Sequence, residues 1–401
     1  TLMGSGCQRG CETTTTTTFI PGDGCCPSGG VATDDPDCPT LELVGHEHTV
    51  CSGAHQWPTV AVGGDRIAVG CMPTGGQNVT PEIKFLDGLG NLLVKQTLLT
   101  SNGYYYTDIQ LTYVNDKFQT IYQYNCDDNG SWNVGWGWGC INFREYASNG
   151  TMGASLVFGE VGHNGHPVMA WSGQEFGVAW VSYDDFYWRR IDAARKLVDA
   201  DPLENTLIGY DPDRPDQRDG ARTKIVWDPN TKSFATFFIS DHRIFFARVT
   251  GSSVLVAPTY IGPGYSQTFG GQFKVLYAGG AYHVLYLDPT TYDVKLVDVS
   301  PVGVRGTTKT IQSAAGRKSY VHPDMVAKDG KFYIVTNDHD SAVARLRVVE
   351  PDGTQLREGV LVAGRPMGFP VIAYDPANAR FAIAYLDQLS HGNVKLQLFA
   401  E

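Results

Sequence analysis

The sequence predicts an all-β chain folded as a seven-bladed β-propeller, and three observations carry that expectation. An apolar strand, usually opened by an aromatic residue, recurs about every fifty residues. Turn-forming residues around each copy divide the unit into four short antiparallel strands. The last unit lacks a fourth strand, while an unpartnered strand precedes the first unit. Joining these two halves closes a ring and leaves no long sheet edge exposed.

Each unit begins with a short strand after a proline or small residue, as at Pro58, Pro167, Pro323 and Pro370. A tight turn follows, such as Gly63-Gly64-Asp65, Asn115-Asp116, Gly279-Gly280 or Asp329-Gly330. These residues tolerate φ > 0, as two-residue hairpins require. The second strands open at Ile67, Phe118, Phe176, Phe234, Tyr282, Phe332 and Phe381, spaced by 51, 58, 58, 48, 50 and 49 residues. Third strands alternate, as in Ile83-Lys84-Phe85-Leu86 and Ala344-Arg345-Leu346-Arg347-Val348. That alternation predicts a half-exposed outer strand, and the first strand is expected to be the most apolar of each blade. Residues 41–50 stand before the first unit and are expected to pair with residues 394–399.

All nine cysteines lie within the first 140 residues, and no CxxC pair occurs. This favours disulfides over a zinc ribbon, hence an extracellular or cell-surface location. Cys126 and Cys140 bracket a loop of the second unit. Cys51 lies just past the closing strand, on the same side of the ring as Cys71. The expected bridges are Cys126–Cys140 and Cys51–Cys71. The odd cysteine leaves Cys7, after Gly4-Ser5-Gly6, either as a lipid anchor or as a free thiol.

Residues 1–40 show no apolar periodicity and contain a run of six threonines from Thr13 to Thr18, so they read as a leader or stalk before a propeller of residues 41–401. The Gly22-Asp23-Gly24-Cys25-Cys26-Pro27 run with its Asp35-Pro36-Asp37-Cys38 ending resembles the Cys-rich leaders of secreted myxobacterial and related surface proteins, although Gly29 and Gly30 stand where a further cysteine is usual. The resemblance implies secretion.

Composition narrows the partners. A net charge of −11 argues against nucleic acid, and no apolar run is long enough to be a transmembrane segment. No G-x-S-x-G, H-E-x-x-H or phosphate-binding glycine loop is present.

In a propeller, second-strand exits and first-strand entries share one face, where several blades converge. The exits carry Asp288, Asp338, His339 and Asp387. The three aspartates each lie six residues past the opening position, and either end their strands by accepting N–H bonds or bind a ligand. The entries carry Trp57, His166, His322 and Phe369, each directly before proline. His55, His166 and His322 are candidate ligands for copper or zinc, or else polar members of a packing set. Trp132, Trp136 and Trp138 decorate the Cys126–Cys140 loop, where they either stack on a partner or cover the loop's own backbone. The expected function is adhesion or binding of a glycan or protein. A polysaccharide-active hydrolase or lyase is the first alternative and a metal-binding propeller the second.

Overall fold

The computed structural model describes residues 42–53, 55–73, 81–98, 109–125, 139–162, 164–182, 185–199, 222–240, 242–251, 253–265, 273–315, 321–338, 343–362, 367–387 and 392–400. The segment before Glu42, including Cys7, lies outside them.

Two short strands come first, β1 (Glu42–Leu43) and β2 (His48–Cys51). Blade 1 is β3 (His55–Gly63), β4 (Arg66–Pro73), β5 (Glu82–Asp87) and β6 (Leu92–Thr97). Blade 2 is β7 (Gln110–Val114), β8 (Lys117–Asn125), β9 (Gly139–Ala147) and β10 (Met152–Gly162). Blade 3 shows three described strands, β11 (Asn164–Trp171), β12 (Glu175–Ser182) and β13 (Asp185–Asp192). Blade 4 is β14 (Arg222–Asp228), β15 (Ser233–Ser240), β16 (Arg243–Thr250) and β17 (Ser253–Pro263). Blade 5 is β18 (Phe273–Ala278), β19 (Ala281–Leu287), β20 (Val294–Val299) and β21 (Arg305–Gln312). Blade 6 is β22 (Asp324–Lys328), β23 (Lys331–Asp338), β24 (Val343–Val349) and β25 (Gln355–Val362). Blade 7 is β26 (Met367–Asp375), β27 (Arg380–Asp387) and β28 (Asn393–Ala400).

The ring closes as the sequence predicts. Both β1 and β2 pair antiparallel with β28, with Glu42 opposite Ala400, Leu43 opposite Phe399 and His48 opposite Leu396. The first strands of successive blades touch in cyclic order, and β26 meets β3. Gly53 N donates to Asn393 Oδ1 at 2.7 Å, and Tyr385 hydrogen-bonds Glu47, fastening the closing segment at both ends. The chain is therefore a seven-bladed β-propeller, with no helix among the described residues long and apolar enough to cross a membrane.

Blade-to-blade packing explains the repeated opening position. Within a blade the opening ring packs on its first-strand neighbour, as in Tyr113–Phe118, Trp171–Phe176 and Tyr374–Phe381. Its other side meets the preceding blade. Phe85–Phe118, Phe143–Phe176, Trp188–Phe234 and Phe246–Tyr282 lie 5.2–5.5 Å apart by ring centroid, and His283–Phe332 and Tyr333–Phe381 lie 4.6 and 4.4 Å apart. Each such pair adds about 0.5–1.5 kcal/mol beyond its buried area. The junction of blades 7 and 1 has Ile67 instead, packed with Ala382, Leu398, Cys51 and Cys71. Cys51 and Cys71 form a disulfide there, so the junction whose opening position lacks an aromatic ring is covalently stapled.

Two expectations about the strands are corrected. The second strand, not the first, is the most completely buried: β19 and β27 are buried at every residue but their first, whereas β18 and β22 are mixed. The second strand lies inside its sheet with both faces covered, while the first strand forms the sheet's inner edge. The alternation of the third strand is also not between core and water. Ile83 and Phe85 face blade 2, and Leu86 joins the core shared with blade 7. The alternating cations are buried toward the preceding blade: Arg144, Arg189 and Arg347 are at most 5% exposed. Lys84 Nζ donates to Val50 O of the closing strand at 2.7 Å, and Arg347 Nη1 to Gln312 Oε1 of blade 5 at 2.8 Å.

Inner edges are satisfied in the same manner. Gln110 Oε1 on β7 accepts from Met169 N on β11, and Asp324 Oδ2 on β22 accepts from Ile372 N on β26. These are equivalent positions in their blades, so one blade's side chain caps an edge N–H of the next.

One hairpin recurs between third and fourth strands in blades 1, 2, 5 and 6, and follows the third strand of blade 3. Its fourth residue donates to the carbonyl three residues earlier and has φ > 0: Gly90, Gly150, Arg195, Gly303 and Gly353. Arg195 alone is not glycine, at φ 66°. Its guanidinium pairs with Glu145 of blade 2 and lies 6.0 and 5.6 Å from the Phe143 and Phe176 rings. Burial raises the Glu145 carboxyl, but Lys117 and Arg195 hold it below its ordinary value.

Replacing Cys51 and Cys71 by serine opens a loop of separation 20. The expected loss is about 3 kcal/mol in non-reducing denaturant melts; unchanged stability would show that closure does not depend on the staple. Arg195→Ala is expected to cost about 1.5–3 kcal/mol, because Glu145 loses one charged hydrogen-bond partner while keeping Lys117. Arg195→Gly should be about 1 kcal/mol more stable than the alanine variant, because only glycine relaxes this backbone. Equal melts for the two would refute a strained residue 195.

Candidate ligand-binding mouth

The first-strand entries form a distinctive local structure. Trp57, His166 and Phe369 have φ of 46°, 52° and 51°. The ladder slips at each one, between Gln56 and Thr59, Gly165 and Val168, and Gly368 and Val371. A non-glycine residue in this region costs of order 1 kcal/mol or more. The following prolines, Pro58, Pro167 and Pro370, are buried and lack the N–H that a regular ladder would use. The bulge thereby aims the preceding side chain away from the ordinary pleat.

Three of these side chains meet. The His322 and Phe369 rings are 3.9 Å apart by centroid, and the Phe369 and Trp57 rings are 6.3 Å apart, edge to face. His322, from the segment just before β22, has its N–H held by Asn337 Oδ1 at 2.7 Å. Trp57, Phe369 and His322 thus make a half-buried arc across blades 1, 7 and 6. His166 stands on blade 3, where its carbonyl accepts from Thr223 Oγ1 of blade 4 at 2.9 Å. His55 lies in β3, but its side chain is outside the described set. Among the described residues, no group of three or more His, Cys, Asp or Glu side chains is placed to hold a metal.

The second-strand exits show how one acid is used. Asp288 is 6% exposed; Oδ1 accepts from Thr290 N at 2.8 Å and Thr291 N at 3.1 Å, and Oδ2 from Lys295 Nζ at 2.6 Å. Burial pushes its carboxyl up, but Lys295 and the two N–H groups hold it below the ordinary range. Its oxygens are engaged in the turn. Asp387 is also buried, at 4% exposure, and its carbonyl accepts from Gly392 N. Asp338 ends β23, with its side chain outside the described set. His339, Trp132, Trp136, Trp138 and Cys126 all lie outside the described residues. Cys140, at the start of β9, is disulfide-bonded.

Sequence reasoning grouped Trp57, His322 and Phe369 as repeat equivalents, but nothing in their spacing shows that Phe369 joins the other two. The signal that was legible is the aromatic or histidine residue before proline.

No protein-family model and no curated protein sequence matches the chain. The class the fold defines is the seven-bladed β-propeller, and one solved propeller is similar in fold. The Dos1 propeller is similar at a TM-score of 0.54 and 9% identity, over 89% of this chain and 95% of that one. The propeller domain of the Trilobed protease from Pyrococcus furiosus, described as having an open velcro topology, gives 0.47 and 8% over 88% and 94%. An α-L-arabinofuranosidase from Clostridium thermocellum gives 0.40 and 11% over 66% and 97%. At 9% identity the likeness to the Dos1 propeller extends to fold alone.

Asp288→Asn is expected to lower stability at neutral pH. The Asp288 carboxyl titrates lower folded than unfolded, so its contribution is present above about pH 4 and is lost as pH falls through the folded value. Melts from neutral to acid pH should therefore converge for wild type and variant. A constant gap down to the lowest pH would show that Asp288 does not act as a carboxylate in this turn.

Proposed function

We propose that the protein is an extracytoplasmic binding propeller that takes a glycan at the mouth formed by blades 6, 7 and 1. The observation that carries this reading is the Trp57–Phe369–His322 arc, half-buried and shaped by strained backbone at two of its three members. Aromatic faces stack on sugar rings, and an imidazole supplies a hydrogen-bonding edge beside them. The Cys51–Cys71 bridge and disulfide-bonded Cys140 support an oxidising compartment. A surface tether through the threonine run, with Cys7 as the lipid-bearing residue, belongs to the same proposal.

Binding is favoured over hydrolysis because Asp288 spends its carboxylate on a turn and Asp387 is buried. A glycosidase needs two carboxyl groups facing a common substrate.

Glycan-array binding followed by titration calorimetry tests the proposal. Trp57→Ala and His322→Ala should each weaken the best ligand at least about tenfold, with melting unchanged within a few degrees. Full affinity in both variants would refute the mouth. If only joint replacement of Trp132, Trp136 and Trp138 abolished binding, the site would belong to that loop. Reducing ends released over time would mark a hydrolase, and stoichiometric copper or zinc in the purified protein would mark the metal reading.

A further inference from the structure

One position of the third strand repeatedly sends a polar side chain between blades. It lies across the ladder from the second-strand residue two past the opening. Lys84 stands opposite Val69, Arg144 opposite Thr120, Arg189 opposite Val178 and Arg347 opposite Ile334. In blade 6 the charge at this position is met within the sheet. Glu358 lies directly opposite Arg347 on the fourth strand and pairs with its Nη2 at 3.1 Å. Arg347 Nη1 also donates to Gln312 Oε1 and Thr336 Oγ1, each at 2.8 Å.

Blade 2 keeps the cation and drops the carboxylate. Ser155 stands opposite Arg144 where blade 6 has Glu358, and its hydroxyl lies 3.3 Å from Asn142 Oδ1. Arg144 is 5% exposed, and among the described residues no carboxylate pairs with it. Glu145 points to the opposite face of β9, where it serves Lys117 and Arg195. The groups around the Arg144 guanidinium are uncharged: the Tyr122 ring, 5.9 Å away, and the Tyr146 hydroxyl. Arg144 Nε has no hydrogen-bond partner among the described residues, and neither has Thr120 Oγ1 directly across the ladder, on a residue that is wholly buried. This face of blade 2 packs on Ile83, Phe85 and Leu98 of blade 1. A cation enclosed by apolar side chains is costly unless its charge is met. Two unspent donors side by side, one of them charged, indicate what would meet it.

We infer that a small monovalent anion of halide type, chloride above all, binds between blades 1 and 2, held by Arg144 and the Thr120 hydroxyl. It supplies there the counter-charge that Glu358 supplies in blade 6. The surroundings set the class of ion. An apolar junction packed at interior density admits a compact ion. It also favours a weakly hydrated one, which gives up less on leaving water. The site lies within the ring wall, apart from the mouth of blades 6, 7 and 1, so this inference stands without the glycan reading.

Thermal melts of the full chain at constant ionic strength test it. Replacing sodium fluoride by sodium chloride or bromide should raise the melting temperature, by about 2 °C for each tenfold rise in halide once the site is filling. General salt effects run the other way, because strongly hydrated anions are the better stabilisers. Arg144→Met should abolish the halide dependence. Ser155→Glu, at an exposed position, rebuilds the blade 6 pair and should abolish it too. If Arg144→Met does not fold, Ser155→Glu and a crystal soaked in bromide carry the test, with anomalous scattering beside Arg144 as the expected result. Equal wild-type melts in fluoride and chloride would overturn the proposal. So would a chloride effect that persists undiminished in both variants, or a water in place of bromide beside Arg144.

Discussion

Each blade has two apolar faces and no means of covering them itself. The structure rests on that constraint. An antiparallel sheet with one apolar face can turn the other to water, but here the second strands are apolar on both sides, so every blade needs two neighbours. A row of blades would leave its first and last faces bare. Only a ring supplies both, and only if blades 7 and 1 adhere as well as the rest. That junction has Ile67 where the other blades open with an aromatic ring, yet it also joins the two ends of the polypeptide. The Cys51–Cys71 bridge lies there, between the closing strand and the second strand of blade 1. Its placement follows from topology. Elsewhere a blade's outer strand continues from its own third strand, whereas here the outer strands come from the N-terminal segment and meet β28 through hydrogen bonds alone, and the bridge holds that segment to blade 1.

The same constraint explains where polar groups go. With both faces of a third strand covered, its polar residues have no route to bulk water and must find partners across the junction. Lys84 and Arg347 do so on the preceding blade, and from the first strands Gln110 and Asp324 reach forward to the next blade's first strand. Such contacts need the neighbour in register, since a guanidinium or carboxylate left without its partner is costly. Aromatic pairs tolerate sliding; these hydrogen bonds fix the angle between blades.

The ring, its blade number and its closure were legible because they rest on periodicity and on turn chemistry, both local properties of sequence. The Cys51–Cys71 pair was legible once the closing strand had been placed. The buried cations were not. Alternating Ile83-Lys84-Phe85 reads the same whether the lysine meets water or another blade, and only the knowledge that the outer face is covered separates the two. The mouth was half legible. An aromatic or histidine residue before proline marks four of the seven entries, but the bulge that rotates Trp57 and Phe369 toward each other depends on a ladder slip that no residue type dictates alone.

The two ends of the ring are built by opposite uses of the left-handed backbone region, and this is what sets the mouth apart. At the rim, the end with the third-to-fourth-strand turns, it falls mostly on glycine, in a hairpin repeated on the same three-residue pattern, where it costs little and presses the turn against the preceding blade. At the mouth it falls on Trp57, His166 and Phe369, where it costs more and no glycine relieves it. A fold seeking only closure could use glycine in both places. At the rim the non-glycine residues in this region, such as Asp65, Asn115, Asp116 and Asp329, are mostly turn formers in hairpins, whereas at the mouth they bear large rings, which marks the end where side-chain direction matters. A ring-shaped ligand must be met at a set angle, which ring-bearing side chains on a fixed backbone supply.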